Sequence, residues 1–137
     1  MFVIKTEIRD AHTKSWTFER QKTMYGGKLI TKGDSIFIFA SETEGGFGLI
    51  AQGVVTASEP TPRRAGVERQ TPRVSIKVER TAEATRPLGR NELRPFNDWD
   101  DGRPETELNF KFYRQATNKI GGISAGTAAF LQSFFHL

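Results

Sequence analysis

The 137-residue chain carries 20 basic and 16 acidic residues, is 36% hydrophobic and 26% charged, and contains no cysteine. Such a composition fits one ordinary globular domain over 1–137 and excludes collagen-like, mucin-like and disordered chains. With no thiol and only His12 and His136 as imidazoles, disulfides, iron–sulfur clusters, cysteine nucleophiles and multi-histidine metal sites drop out, so neither a metal nor a cofactor is expected.

In chain order, Phe2 to Ile8 alternates. Phe2, Ile4, Thr6 and Ile8 share one side and Val3, Lys5 and Glu7 the other, which predicts a first strand. Residues 10–27 are polar, with Trp16 and Phe18 as apolar anchors. They predict a loop ending in a turn at Thr23-Met-Tyr-Gly-Gly27, with room for a short helix over 13–24. Thr31-Lys-Gly-Asp34 is a turn signal before Ser35-Ile-Phe-Ile-Phe-Ala40, a continuous apolar run that predicts a strand buried on both faces. After a glycine-rich turn, Phe47 to Thr56 predicts its antiparallel partner.

Pro60 to Pro72 is a proline- and arginine-rich connector in which prolines 60 and 62 exclude a helix. Val74, Ile76 and Val78 alternate with polar residues as in a half-buried strand. Residues 82–107 read as irregular, with a helical turn possible over Leu88–Leu93. Leu108, Phe110 and Phe112 alternate and predict a last strand. Ser124 then stands as the N-cap of a terminal helix whose apolar face is Thr127, Ala128, Leu131, Phe134 and Phe135. So few helices rule out a parallel α/β sheet; the fold class is α+β, a small, mostly antiparallel pseudo-barrel of about five to six strands with flanking helices.

The charge is uneven. Residues 63–94 hold nine basic and four acidic side chains, a balance of +5 against +4 for the whole chain. Eight of those nine bases are arginine, which suits bidentate phosphate contacts as well as a solvated surface. No nucleotide-loop lysine accompanies Gly45-Gly-Phe-Gly48, which reads as a hairpin turn. A serine–histidine–aspartate triad would need His12 or His136. The acidic run Asp98-Trp-Asp-Asp-Gly102 is out of register for a calcium loop. Trp16, Tyr25 and Trp99 fall in polar segments. Each fits either a loop anchor or one wall of a base-stacking pocket.

Several segments together resemble an EVE domain, of the PUA-like superfamily that also holds YTH and ASCH domains. Phe2-Val-Ile-Lys-Thr-Glu7 resembles the family's opening strand, although Ile8 stands where proline is usual. Leu29 to Phe39 is similar to its Gly-Asp turn and aromatic strand, Gly48 to Val55 to the next strand, and Val74-Ser-Ile-Lys-Val78 to the one after. Phe112-Tyr-Arg-Gln115 and the final helix resemble its Arg-Gln segment and closing helix. The family's Arg-Asn-rich loop is shortened here to Arg20-Gln-Lys-Thr-Met-Tyr-Gly-Gly27, and residues 84–107 are longer.

The resemblance implies a pseudo-barrel with a pocket for a single, often methylated, base, and hence a non-enzymatic module whose partner is DNA or RNA. Trp16 and Trp99 would be stacking walls. Thr6 would offer its hydroxyl to the base edge unless it is a core threonine, and Lys5 or Glu7 would shape the mouth. Tyr25 and Gln115 are secondary candidates. Arg63, Arg64, Arg73 and Lys77 are assigned to phosphates on charge alone. The alternatives are a nucleoside- or small-molecule-binding domain, or an ASCH-like hydrolase using Lys5 and Glu7. The charged N-terminus is unlike a signal peptide, and no apolar run approaches the ~20 residues of a membrane span, so a cytoplasmic location without a membrane partner is expected.

Overall fold

The computed structural model describes residues 1–115 and 117–135; expectations involving His136 and Leu137 lie outside them. Six strands, β1 (Phe2–Thr6), β2 (Ser15–Met24), β3 (Ser35–Ala40), β4 (Gly48–Pro60), β5 (Arg73–Glu83) and β6 (Lys119–Gly122), are joined by helices α1 (Arg90–Leu93), α2 (Pro104–Asn109) and α3 (Ala125–Gln132). The strands close into a barrel in the order β1-β3-β4-β5-β2-β6. Four neighbouring pairs are antiparallel, while β1 with β3 and β2 with β6 are parallel.

The sheet has a core on each side. Ile4, Ile36, Ile38, Ala51, Val74, Ile76, Val78 and Ile120 fill the barrel. Val3, Phe37, Phe39 and Leu49 face outward, under Leu93, Leu108, Phe112 and Leu131 of the helical layer. Two-sided burial is why β3 reads as an unbroken apolar run. The register jump between Ile38 and Phe39 leaves Ile50 as an extra residue in β4. That bulge turns Leu49 to the outer core and Ala51 to the inner one.

Two expectations are corrected. Residues 15–24 are a strand, not a loop or short helix. Only Phe18 and Thr23 of β2 are buried, and a register jump between Phe18 and Gln21 breaks what alternation remains. Leu108–Phe112 is helical, not a strand: α2 runs into a π-helical turn over Phe110–Arg114. Leu108 and Phe112, four apart, share the buried helical face, and Phe110 flanks it half-buried. Pro104 at the first turn with Glu105 and Glu107 behind it is the helix-start signal that the alternation masked. Lys119–Gly122, to which the sequence assigned no element, is the strand between β1 and β2 that closes the barrel. Its Ile120 carbonyl packs so closely on Gly27 that a Cβ there would collide with it.

Ser124 caps α3 as expected, its Oγ accepting from the Thr127 N–H at 3.2 Å. The same hydroxyl donates to Glu107 Oε1 at 2.7 Å, tying α3 to α2. Burial pushes the Glu107 carboxyl up, but hydrogen bonds from Lys111, Thr127 and Ser124 together hold it below its ordinary value. Ser124→Ala is expected to lower stability by about 1–2 kcal/mol in urea denaturation, and a loss under ~0.3 kcal/mol would show that the cap is dispensable.

Candidate functional site

A polar cleft of about 450 Å³ opens at the end of the barrel where β1 and β3 finish and β6 begins. Thr6, the last residue of β1, lines it together with Thr117 and Asn118, which lead into β6. Thr43 and Glu44, in the helical turn after β3, form one rim. Arg20, Gln21 and Lys22 of β2 and Arg73 at the start of β5 form the other. Three cations thus face a single acid across the opening.

The β2 bulge aims these side chains. Arg20 sits at φ 52, in the left-handed region that non-glycine residues seldom occupy. Two contacts hold it there: its N–H donates to Ser75 Oγ at 3.0 Å, and its carbonyl accepts from Arg73 Nη1 at 2.8 Å. The connector over 61–72 is anchored beside the cleft, because the Pro72 carbonyl accepts from both the N–H (3.0 Å) and the Oγ1 (2.7 Å) of Thr23. Its interior is laced by Gln70, which bonds the Arg64 N–H, the Arg64 carbonyl and the Val67 carbonyl, each at 2.8 Å. Arg63, Arg64 and Arg69 are exposed on it.

Of the residues singled out in the sequence, Thr6 and Arg73 meet in this cleft. Lys5 points to the opposite face of β1, is 2% exposed, donates to the Phe112 carbonyl at 2.7 Å and lies 4.7 Å from the centre of the Tyr113 ring. Glu7 is exposed and 3.6 Å from Arg9, so Lys5 and Glu7 do not converge. Trp16 is half-buried and stacks on Phe18, with ring centres 6.3 Å apart. Its Nε1–H donates to the Asp10 carbonyl at 3.2 Å. Tyr25 packs beneath the Lys111 ammonium at 4.8 Å. Gln115 and Lys77 are exposed, the Gln115 carbonyl accepting from Lys119 Nζ at 3.2 Å.

Trp99 lines a different, smaller cleft of about 260 Å³, with Gly102, Arg103, Thr106, Glu107 and Phe110. The two tryptophans therefore do not form the walls of one pocket. Arg20, Gln21, Lys22 and Asn118, which do share a cleft with Thr6, were not singled out. The visible signal was the basic Arg20-Gln-Lys22 run.

Behind β1, Lys5 and Lys119 are cross-strand partners, both buried. Their ammonium groups meet carbonyls of the π-helical turn and of the segment that follows it: Phe112 for Lys5, and Gln115 and Thr117 for Lys119. Burial pushes the Lys119 pKa down to about 8, with the neighbouring Lys5 adding to the effect. Burial also lowers Lys5, against the opposing pull of Glu42. Tyr113, whose hydroxyl is 3.0 Å from both Glu42 oxygens, is raised by burial and by that carboxylate. Among the described residues, no three His, Asp or Glu side chains are grouped to hold a metal, and no helix is long and apolar enough to cross a membrane.

The fold is shared with several solved structures, one of them a DUF55 domain. The DUF55 domain of human thymocyte nuclear protein 1 superposes with a TM-score of 0.63 at 12% identity, over 96% of each chain. Human THYN1 protein in complex with 5-methylcytosine containing DNA gives 0.64 at 12% identity, over 96% of this chain and 95% of that one. A protein of Pseudomonas putida gives 0.63 at 14% identity over 97% of each. At such identities the likeness is one of fold. No protein-family model and no curated protein sequence matches the chain.

Proposed function

We propose that this chain is a nucleic-acid-binding module that seats one modified base in the barrel-mouth cleft. The observation that carries this reading is the gathering of Arg20, Lys22 and Arg73 around an opening lined by Thr6 and Asn118. Hydroxyls and amides of Thr6, Gln21, Thr117 and Asn118 would bond the base edge. The guanidinium planes of Arg20 and Arg73 take the stacking part first assigned to tryptophan, since a guanidinium also stacks on a base. Arg63 and Arg64 on the adjoining connector, and Lys77 on β5, would meet flanking phosphates without reading sequence. The methylcytosine-containing DNA bound by human THYN1 protein makes that base the first ligand to try.

Fluorescence anisotropy on short DNA and RNA oligonucleotides, with and without one 5-methylcytosine, tests the reading at two salt concentrations. Tighter binding to the modified strand is expected, weakening as salt rises. Arg20→Ala and Arg73→Ala are each expected to weaken it roughly tenfold, and removing a phosphate contact to reduce the salt slope by about one. A folded protein that binds no oligonucleotide at low salt, or an Arg73→Ala variant that binds as tightly as the parent, would overturn the proposal.

A further inference from the structure

We infer that Lys119 is a positioning residue: from behind the sheet, its ammonium group clamps the chain that forms the inner wall of the barrel-mouth cleft. Asn118 and Lys119 are consecutive, and successive side chains of an extended chain point to opposite faces. Asn118 lines the cleft, whereas Lys119 lies on the face it shares with Lys5 and has no exposed surface. There its Nζ donates to the Gln115 carbonyl at 3.2 Å and to the Thr117 carbonyl at 3.1 Å. The Thr117 N–H closes on the same Gln115 carbonyl at 2.7 Å. One buried cation thus fixes the backbone of Thr117, itself a lining residue, and the approach to Asn118.

The cost of this arrangement argues for a function. Lys119 pairs across strands with the buried Lys5, so two like charges share one enclosure against the Phe112 ring. Neither forms an ion pair among the described residues. Glu42, the carboxylate that acts on Lys5, is engaged by the Tyr113 hydroxyl and the Arg90 N–H. Arg90 of α1, over the Tyr113 ring, adds a further positive charge, while Glu92 of the same helix acts on Tyr113. A buried charge without a counter-ion is destabilising, and an apolar side chain of similar length would fill the space without that cost. What only an ammonium supplies here is charged donors for the carbonyls of Gln115 and Thr117. Giving up stability to hold a site in shape is a common exchange.

The cleft therefore softens when the clamp is neutralised. Burial, with Lys5 second, puts the Lys119 pKa at about 8. Above that pH the folded chain holds an amine, whose hydrogen bonds to the two carbonyls are weaker than those of the ammonium. A ligand favours the ordered wall and hence the charged form, so affinity falls as pH rises through 8. This step rests on the base-seating role proposed for the cleft. The fold itself does not weaken over the same range, because releasing a buried charge relieves it.

Lys119→Met keeps most of the side-chain length and removes the charge. At pH 7 it is expected to bind a DNA strand containing one 5-methylcytosine about fivefold to tenfold more weakly than the parent in fluorescence anisotropy. The parent is expected to lose affinity severalfold between pH 7 and pH 9, and the variant to show no such dependence. Lys5→Met removes the neighbouring charge and is expected to move the midpoint of that loss to higher pH. Carbon-13 resonances of Thr117 and Asn118 in the free protein report the clamp without a ligand. They are expected to shift with a midpoint near pH 8 in the parent and to stay fixed in Lys119→Met. Should Lys119→Met not fold, the parent profile and its displacement in Lys5→Met carry the test. If the parent binds no oligonucleotide, the base-seating role fails, and the resonances alone decide for or against the clamp. Resonances that stay fixed across pH 8 in the parent, a Lys119→Met variant that binds as tightly as the parent, or an affinity that falls equally with pH in both would each overturn the inference.

Discussion

Phe112→Ala is expected to cost about 3–5 kcal/mol, a large share of the ~5–15 kcal/mol that holds a typical domain together. The ring has no exposed surface and meets Phe39 edge-on at 5.0 Å. It is also the apolar floor beneath the two buried ammonium groups, each 5.9 Å from its centre. Truncation would leave a cavity between the sheet and α2, and would admit water beside lysines whose environment is otherwise closed. Urea denaturation followed by circular dichroism measures the loss. Phe47→Ala is the comparison, since Phe47 is 86% exposed and its removal is expected to cost within about 0.5 kcal/mol of nothing. If the two variants unfold at nearly the same urea concentration, the outer core is not centred where the packing places it.

Stability is expected to rise, not fall, between pH 8 and pH 10. Lys119 has a folded pKa of about 8 against 10.5 for an ordinary lysine. Below pH 8 both states carry the proton, and the folded state bears the full cost of a buried charge. Between the two values the folded chain has released a proton that the unfolded chain still holds. The unfolded state then binds more protons, and unfolding becomes harder as pH increases. Two pH units correspond to about 2–3 kcal/mol. Lys5 shifts in the same direction and titrates with its neighbour as a pair. Above pH 10 the sign reverses for Tyr113, whose raised pKa keeps the folded hydroxyl protonated while the unfolded one ionises. Urea midpoints from pH 7.5 to 10, in the parent and in Lys119→Met, test this. A parent curve that is flat, or a variant that keeps the same slope, would show that Lys119 is not the source.

The elements legible in the sequence are those whose environment is uniform along their length. β3 is apolar on both sides, and α3 carries its cap and apolar face within a dozen residues. β2 was hidden because its outer face is polar and its bulge interrupts the period, and β6 because four residues with two glycines carry no period at all. Leu108, Phe110 and Phe112 satisfied the strand pattern over five residues, yet the spacing of Leu108 and Phe112 equally suits a helix. The site follows the same logic. Thr6 and Arg73 could be picked out from local chemistry, but their meeting with Arg20, Lys22 and Asn118 is a product of barrel closure. Trp16 and Trp99 look alike in local context, and only the fold sends one to the barrel flank and the other to the surface of α2.

The pairing of β1 with β6 joins residues 2–5 to residues 119–122. During synthesis the first strand emerges long before its neighbour exists, with only β3 available to shelter one edge of it. The ring of strands cannot shut until residues 119–122 have left the ribosome. Until then β1 and β2 each present an unpaired edge of the kind that invites association between nascent chains. Contacts this distant in sequence also slow folding. Refolding in vitro is therefore expected to be slow for a chain of this length, and a nascent chain stalled before residue 119 to remain open to chaperones and proteases.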